Sequence, residues 1–238
     1  MKTFLLSALL AITSSAVSLA ADWQSEYATL LRKYVTPSGV RYAAWKGDAG
    51  DLAALKKVVD SIATAPAPEG KSPEALAFYL NAYNAWILHE ALEKYPTKSV
   101  KDTLFTFFTS NRLTVAGQKI SFNKLEKEIV IPRFGEPRIH MALNCASRSC
   151  PPLRNEPFTG SKLSAQLDSQ SKQFVNSSNG VRLEKASAEL SSIFDWYKED
   201  FGGPSGALAF VNKHRSSPIP PNTKVAFQSY DWRLNEAR

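Results

Sequence analysis

Sulfur and imidazole are scarce in this chain of 238 residues, which has two cysteines, two methionines and three histidines. Histidines and cysteines this few and this dispersed make a poor ligand set, so neither a metal site nor a cofactor is expected. No glycine-rich phosphate loop, dinucleotide fingerprint, zinc-protease helix or Gly-x-Ser-x-Gly elbow occurs, which argues against nucleotide-dependent chemistry. Internal repeats and low-complexity tracts are missing as well. The apolar run Phe4 to Ile12 is far short of the ~20 residues that span a bilayer. A formal charge of +7 is spread along the chain, with Lys213-His214-Arg215 its densest cluster. Scattered cations make a solvated face, so no nucleic-acid partner is expected. The basic balance suits anionic lipid headgroups, cell-wall carboxylates or acidic glycans without choosing among them, and the partner expected is an envelope small molecule, peptide or glycan.

What is present begins with a leader. Met1 to Ala20 has a cation at Lys2, that short apolar run, and small residues at the end of Ser18-Leu19-Ala20. This reads as a secretory signal peptide cut before Ala21, and predicts a periplasmic or secreted protein. The whole chain is 44% hydrophobic, and residues 21–238 should form one globular domain with no membrane span.

Trp23, Tyr27, Leu30, Leu31 and Tyr34 recur at helical spacing behind Asp22, a plausible cap. A second helix opens at Gly50-Asp51 and carries Leu52, Leu55, Val58, Val59 and Ile62 on one face. Ser72-Pro73-Glu74 is a strong helix start, with a hydroxyl cap, a proline at the first helical position and a carboxylate at the positive end of the dipole. That helix should run from Ser72 to Tyr95, where Pro96 stops it. It is apolar almost all round, so it is the central buried helix.

Further on, Leu113-Thr114-Val115 and Gln118-Lys119-Ile120 read as a hairpin across Ala116-Gly117, and Asn123 to Val130 as a short helix. A helix follows from Gly160, then a strand at Val181-Arg182-Leu183, a short helix capped by Ser192, another from Gly206 to His214, and a final strand at Val225. Several helices, with hairpin strands mainly in the second half, predict an α+β fold: a mostly helical single domain with a small antiparallel sheet.

The chemistry concentrates in Arg138 to Pro152, which holds His140, Asn144, Cys145 and Cys150. Ile139 to Leu143 is apolar except for His140, so it enters the core as a short strand or buried turn and delivers Asn144 and Cys145 to a loop. Two functions fit. In one, Cys145 is the nucleophile of a thiol-dependent hydrolase or acyl or peptidyl transferase, His140 is its base, and Asn144 orients it or donates to the oxyanion. In the other, Cys145 and Cys150 form a structural disulfide in a non-catalytic envelope binding module. Geometry bears on the first reading: residues five apart point to opposite faces of a strand, so a turn must intervene, or His89 or His214 must supply the base. Asn81 and Asn84 share one face of the central helix and either bind a ligand or form a satisfied polar ladder. Glu126 is either charged surface or a third ligand contact.

Four separated segments carry a family resemblance. Phe78 to Ala85, Pro137 to Cys145, Ser192 to Phe201 and Tyr230 to Asn235 together resemble the domain of unknown function 547 family, in order and over most of residues 21–238. The resemblance implies membership of a fold family and carries no activity with it.

Overall fold

The apolar stripe from Trp23 to Tyr34 is the buried face of α1 (Ser15–Tyr34), in a computed structural model that describes residues 15–184 and 187–237. Asp22 lies inside this helix rather than capping it, and residues 1–14 of the expected leader lie outside the described residues. A tight pair, β1 (Val35–Thr36) and β2 (Gly39–Val40), leads through α2 (Tyr42–Lys46) to α3 (Ala49–Thr64). Asp48 caps α3 by accepting from the Asp51 N–H at 3.0 Å, and Leu55, Val58, Val59 and Ile62 are buried.

The central helix is α4 (Pro73–Lys94). Ser72 accepts from the Ala75 N–H at 3.2 Å, and every residue from Tyr79 to Leu88 is buried. Beyond the short α5 (Leu104–Phe107), the hairpin of β3 (Leu113–Val115) and β4 (Gln118–Ile120) turns through Ala116 and Gly117, with φ of 49° and 77°. Two positive φ values match the right-handed twist of paired strands. The Ala116 and Gly117 N–H groups also donate to Ile62 and Ala63 at the end of α3.

The helix expected over Asn123 to Val130 is a π-helix, Lys124–Val130, running into α6 (Ile131–Phe134). Pro132 gives the reason: it has no N–H for the Glu128 carbonyl and its ring crowds that group, and a wider turn relieves both. Glu126 is thereby turned inward and buried. Pro137–Met141 is a 3-10 turn, so the buried-turn alternative holds over the strand.

The second half contains α7 (Leu163–Val175), β5 (Val181–Leu183), β6 (Ser187–Leu190), α8 (Ile193–Trp196), α9 (Gly203–His214) and β7 (Lys224–Phe227). Ser192 does not cap α8; its hydroxyl donates to the Gln228 carbonyl. β5 and β6 are antiparallel, and β7 adds a parallel edge to β6. Parallel pairing needs a crossover, which α8 and α9 supply.

The fold is thus α+β and mostly helical, with two small antiparallel pairs and one mixed three-stranded sheet. No helix among the described residues is long and apolar enough to cross a membrane. Two apolar cores result. The larger joins α1, α3 and α4 to the β3–β4 hairpin, and the smaller packs α7 and α9 on the three-stranded sheet. The 3-10 turn stitches them together, because Ile139 belongs to the first and Met141 to the second.

Candidate functional site

The 3-10 turn ends where the cysteine loop begins. Cys145 and Cys150 are joined by a disulfide with a Cα–Cα separation of 6.2 Å, and both cysteines of the chain are in it. Ala146 is held at φ 60°, a conformation costly for a residue with a Cβ. Asn144 maintains it by accepting from the Ala146 N–H at 2.9 Å, while the Ala146 carbonyl accepts from the Asn235 N–H at 2.9 Å. The C-terminal segment grips the rest of the loop: Arg148 donates to the Arg233 carbonyl at 2.9 Å and Asp231 to the Ser149 hydroxyl at 2.8 Å.

The asparagines of α4 serve this scaffold. Asn84 donates to the Ala142 carbonyl at 3.0 Å and accepts from the Asn144 N–H at 2.9 Å. Asn81 donates to the Phe158 carbonyl at 2.8 Å and accepts from the Phe158 N–H at 2.9 Å. Asn144 in turn donates to the Pro151 carbonyl at 2.8 Å. All three amides are engaged at both ends and buried, and together they form a satisfied polar ladder.

Because this ladder and the C-terminal segment hold the loop independently of the bridge, Cys150→Ala is expected to leave the protein folded. Closing so short a loop contributes about 2 kcal/mol. A thermal melt should show a single cooperative transition at reduced temperature; loss of the transition would show that the bridge carries the loop.

Along the seam between the two cores runs a cleft of about 590 Å³. Tyr83, Phe108 and Leu143 line it from the larger core, and Ile193, Tyr197 and Tyr230 from the smaller. Both cysteines stand in its wall. Cys145 is half-buried, whereas Cys150 is 6% exposed. The Cys145 sulfur lies 3.1 Å from the Ser147 hydroxyl and 3.3 Å from that of Tyr230. Cys150 Sγ accepts from the Cys145 N–H at 2.9 Å and the Tyr230 O–H at 3.1 Å. Burial pushes the Tyr230 phenol up, so it stays a neutral donor.

Of the three histidines only His140 faces this cleft. His89 is in α4 beside α3, and His214 ends α9. His140 Nε2 lies 2.8 Å from Asp200 Oδ2, and its ring stacks on Tyr197 with centroids 4.1 Å apart. A carboxylate only accepts, so Nε2 carries the proton and Nδ1 keeps its lone pair. Nδ1 makes no hydrogen bond within the described chain, and no imidazole bonds either sulfur. Below His140, Tyr197 donates to Glu126, which lines the cleft together with Lys127. At the mouth Trp196, 48% exposed, stacks on Trp232 with centroids 5.7 Å apart, and Lys101 Nζ sits 5.2 Å from the Trp232 centroid.

Burial holds His140 below its ordinary value of 6.5, outweighing the raising effect of Asp200. Desolvation also lowers His89 and His214. A histidine with a depressed folded-state value contributes stability above the unfolded value that is lost as pH falls through the folded one. The melting temperature is therefore expected to drop between about pH 7 and pH 5. His140→Gln should flatten that drop. Melts across this range check it, and a wild-type profile that is flat there would contradict the burial of the imidazoles.

Residues 69–175 match the family described as protein of unknown function, DUF547. The likeness to DUF547 covers this stretch, a little under half of the chain. No curated protein and no solved structure matches it. The DUF547 match contains Asn81, Asn84, Glu126, His140, Asn144, Cys145 and Cys150. Tyr197, Asp200 and Tyr230 come from beyond it, on the two later segments that resembled the family in the sequence, and close the cleft over the DUF547 region. Those three were missed as site residues because aromatics beside acidic residues read as core and surface. Ser147 and Tyr230, the two hydroxyls on the sulfurs, sit within or beside segments already singled out, but nothing in their spacing marks them.

Proposed function

We propose that this protein is an exported thiol enzyme, a hydrolase or acyl or peptidyl transferase, in which Cys145 attacks an amide, ester or thioester held in the aromatic cleft. The observation that carries the reading is the half-buried Cys145 sulfur in the wall of the same cleft as His140, whose tautomer Asp200 sets. The bridged form is the resting state. Once the bridge is opened, the Cys145 thiolate adds to the substrate carbonyl, the carbonyl re-forms and the leaving group departs with the bonding electron pair, taking a proton from solvent where it needs one. Water or an amine, deprotonated by Nδ1 of His140, then displaces the acyl group from sulfur. With the bridge open and Cys150 protonated, the Ser147 and Tyr230 hydroxyls, 3.1 and 3.3 Å from Cys145, turn to it and favour its thiolate. Lys101 and Lys127 give the cleft a positive edge suited to an acyl compound bearing an anionic group. The leader at residues 1–20 and the disulfide both fit an oxidising envelope compartment, periplasmic or extracellular, with residues 21–238 as a single mature domain.

A second reading is the envelope binding module. It draws on the sulfur contacts, which are hydroxyls and a backbone N–H rather than an imidazole. One assay separates the two: turnover of a panel of aryl esters, thioesters and anilides by Cys150→Ala protein, against Cys150→Ala with Cys145→Ser. Turnover that needs Cys145 supports the enzyme. Ligand binding by both variants without turnover by either supports the module.

A further inference from the structure

We infer that the Cys145–Cys150 bridge is redox-active, and that an external dithiol opens it by attacking Cys145 and displacing Cys150. Its consequence, release of the Cys145 nucleophile, rests on the proposed function; the exchange chemistry itself does not. The two sulfurs are unequal in three respects. Cys145 is the accessible one, in the wall of an open cleft, while Cys150 is buried behind it. The Cys145 N–H donates to Cys150 at 2.9 Å, and the Tyr230 O–H lies nearer to Cys150, at 3.1 Å, than to Cys145, at 3.3 Å. Ser147 further polarises that phenol by donating to its oxygen at 3.2 Å. In thiol–disulfide exchange the incoming thiolate takes the reachable sulfur, and the better stabilised thiolate leaves faster. Both criteria select attack at Cys145 and departure of Cys150.

The step balances as follows. A thiolate of the dithiol bonds to Cys145 Sγ, the 145–150 bond breaks, and its electron pair departs on Cys150 Sγ, where two hydrogen bonds receive it. The second thiol of the reductant loses its proton and attacks the reductant's own sulfur, closing the reductant's disulfide and expelling Cys145 as a thiolate. Two electrons pass from the dithiol to the protein, and the two protons released rejoin the protein sulfurs according to their acidity. The loop survives the opening, because Asn84, Asn144 and Asn235 hold its backbone. A bridge that only stabilised a fold would not need an accessible sulfur on one side and hydrogen-bonded departure on the other.

The test uses the full-length folded protein. Brief reaction with 2-mercaptoethanol, acid quench and peptide mapping should find the mixed disulfide on Cys145. Reduction by dithiothreitol should slow about tenfold in Tyr230→Phe, which loses one hydrogen bond to the leaving thiolate, and by a smaller factor in Ser147→Ala. In denaturant all three proteins should react at one rate, which separates leaving-group stabilisation from any general effect of the substitutions. A mixed disulfide on Cys150, a native bridge that dithiothreitol leaves intact, or native rates equal in wild type and Tyr230→Phe would overturn the inference. Acylation of Cys150→Ala, which has no bridge, reports on the proposed function separately, so the two fail or survive independently.

Discussion

Replacing Asn84 by leucine is expected to destabilise the protein by about 3 kcal/mol, although leucine is the better helix former. The amide bridges α4 to the cysteine loop through the Ala142 carbonyl and the Asn144 N–H, and the surroundings are fully buried. Leucine leaves one acceptor and one donor without partners, at about 1 to 3 kcal/mol each, against a gain in apolar burial of smaller size. For a chain of this length the melting temperature should fall by about 6 to 12 °C. Asn81→Leu breaks the same type of pair at Phe158, on the far side of the ladder from the loop, so it should cost similar stability with less effect on the cleft. Melts of both variants, compared with alkylation of Cys145 in the Cys150→Ala background, check the distinction. An Asn84→Leu protein as stable as its parent would remove the ladder from the account.

His140→Gln is expected to lower the rate of acyl transfer from Cys145 by about a hundredfold, the lower end of what a positioned general base contributes. Glutamine retains a donor for Asp200 but offers no lone pair of comparable basicity at the position of Nδ1. The pH profile separates this from a structural effect. In the parent, the rate should fall as pH drops through the lowered His140 value, because protonation takes up the Nδ1 lone pair. That acid limb should vanish in His140→Gln. Unchanged rates and an unchanged limb would place the base elsewhere.

The scaffold was more legible in the sequence than the site. A hydroxyl cap, a proline at the first helical position and an apolar run with no polar face located α4 nearly to the residue, because each device acts within one turn of the chain. The hairpin at Ala116-Gly117 and the Cys145–Cys150 bridge were visible for the same reason. What escaped depends on distant partners. Glu126 is buried because Pro132 widens the preceding turn and Tyr197 supplies a hydrogen bond from a segment far along the chain. His140 finds its carboxylate at Asp200, and the sulfurs find Tyr230, only after two cores have closed on one another. Asn144 shows the converse: beside a cysteine it looks catalytic, yet the αL geometry of Ala146 and the Pro151 carbonyl claim its amide.

Intact-mass analysis with peptide mapping decides whether Cys145 is the nucleophile of the cleft. Cys150→Ala protein is mixed with an excess of an aryl thioester near neutral pH, quenched in acid within seconds, and digested. The account predicts one acyl group per chain, located on Cys145, absent when Cys145→Ser is added, and longer-lived when His140→Gln is added. No adduct, or acylation that persists without Cys145, would contradict it.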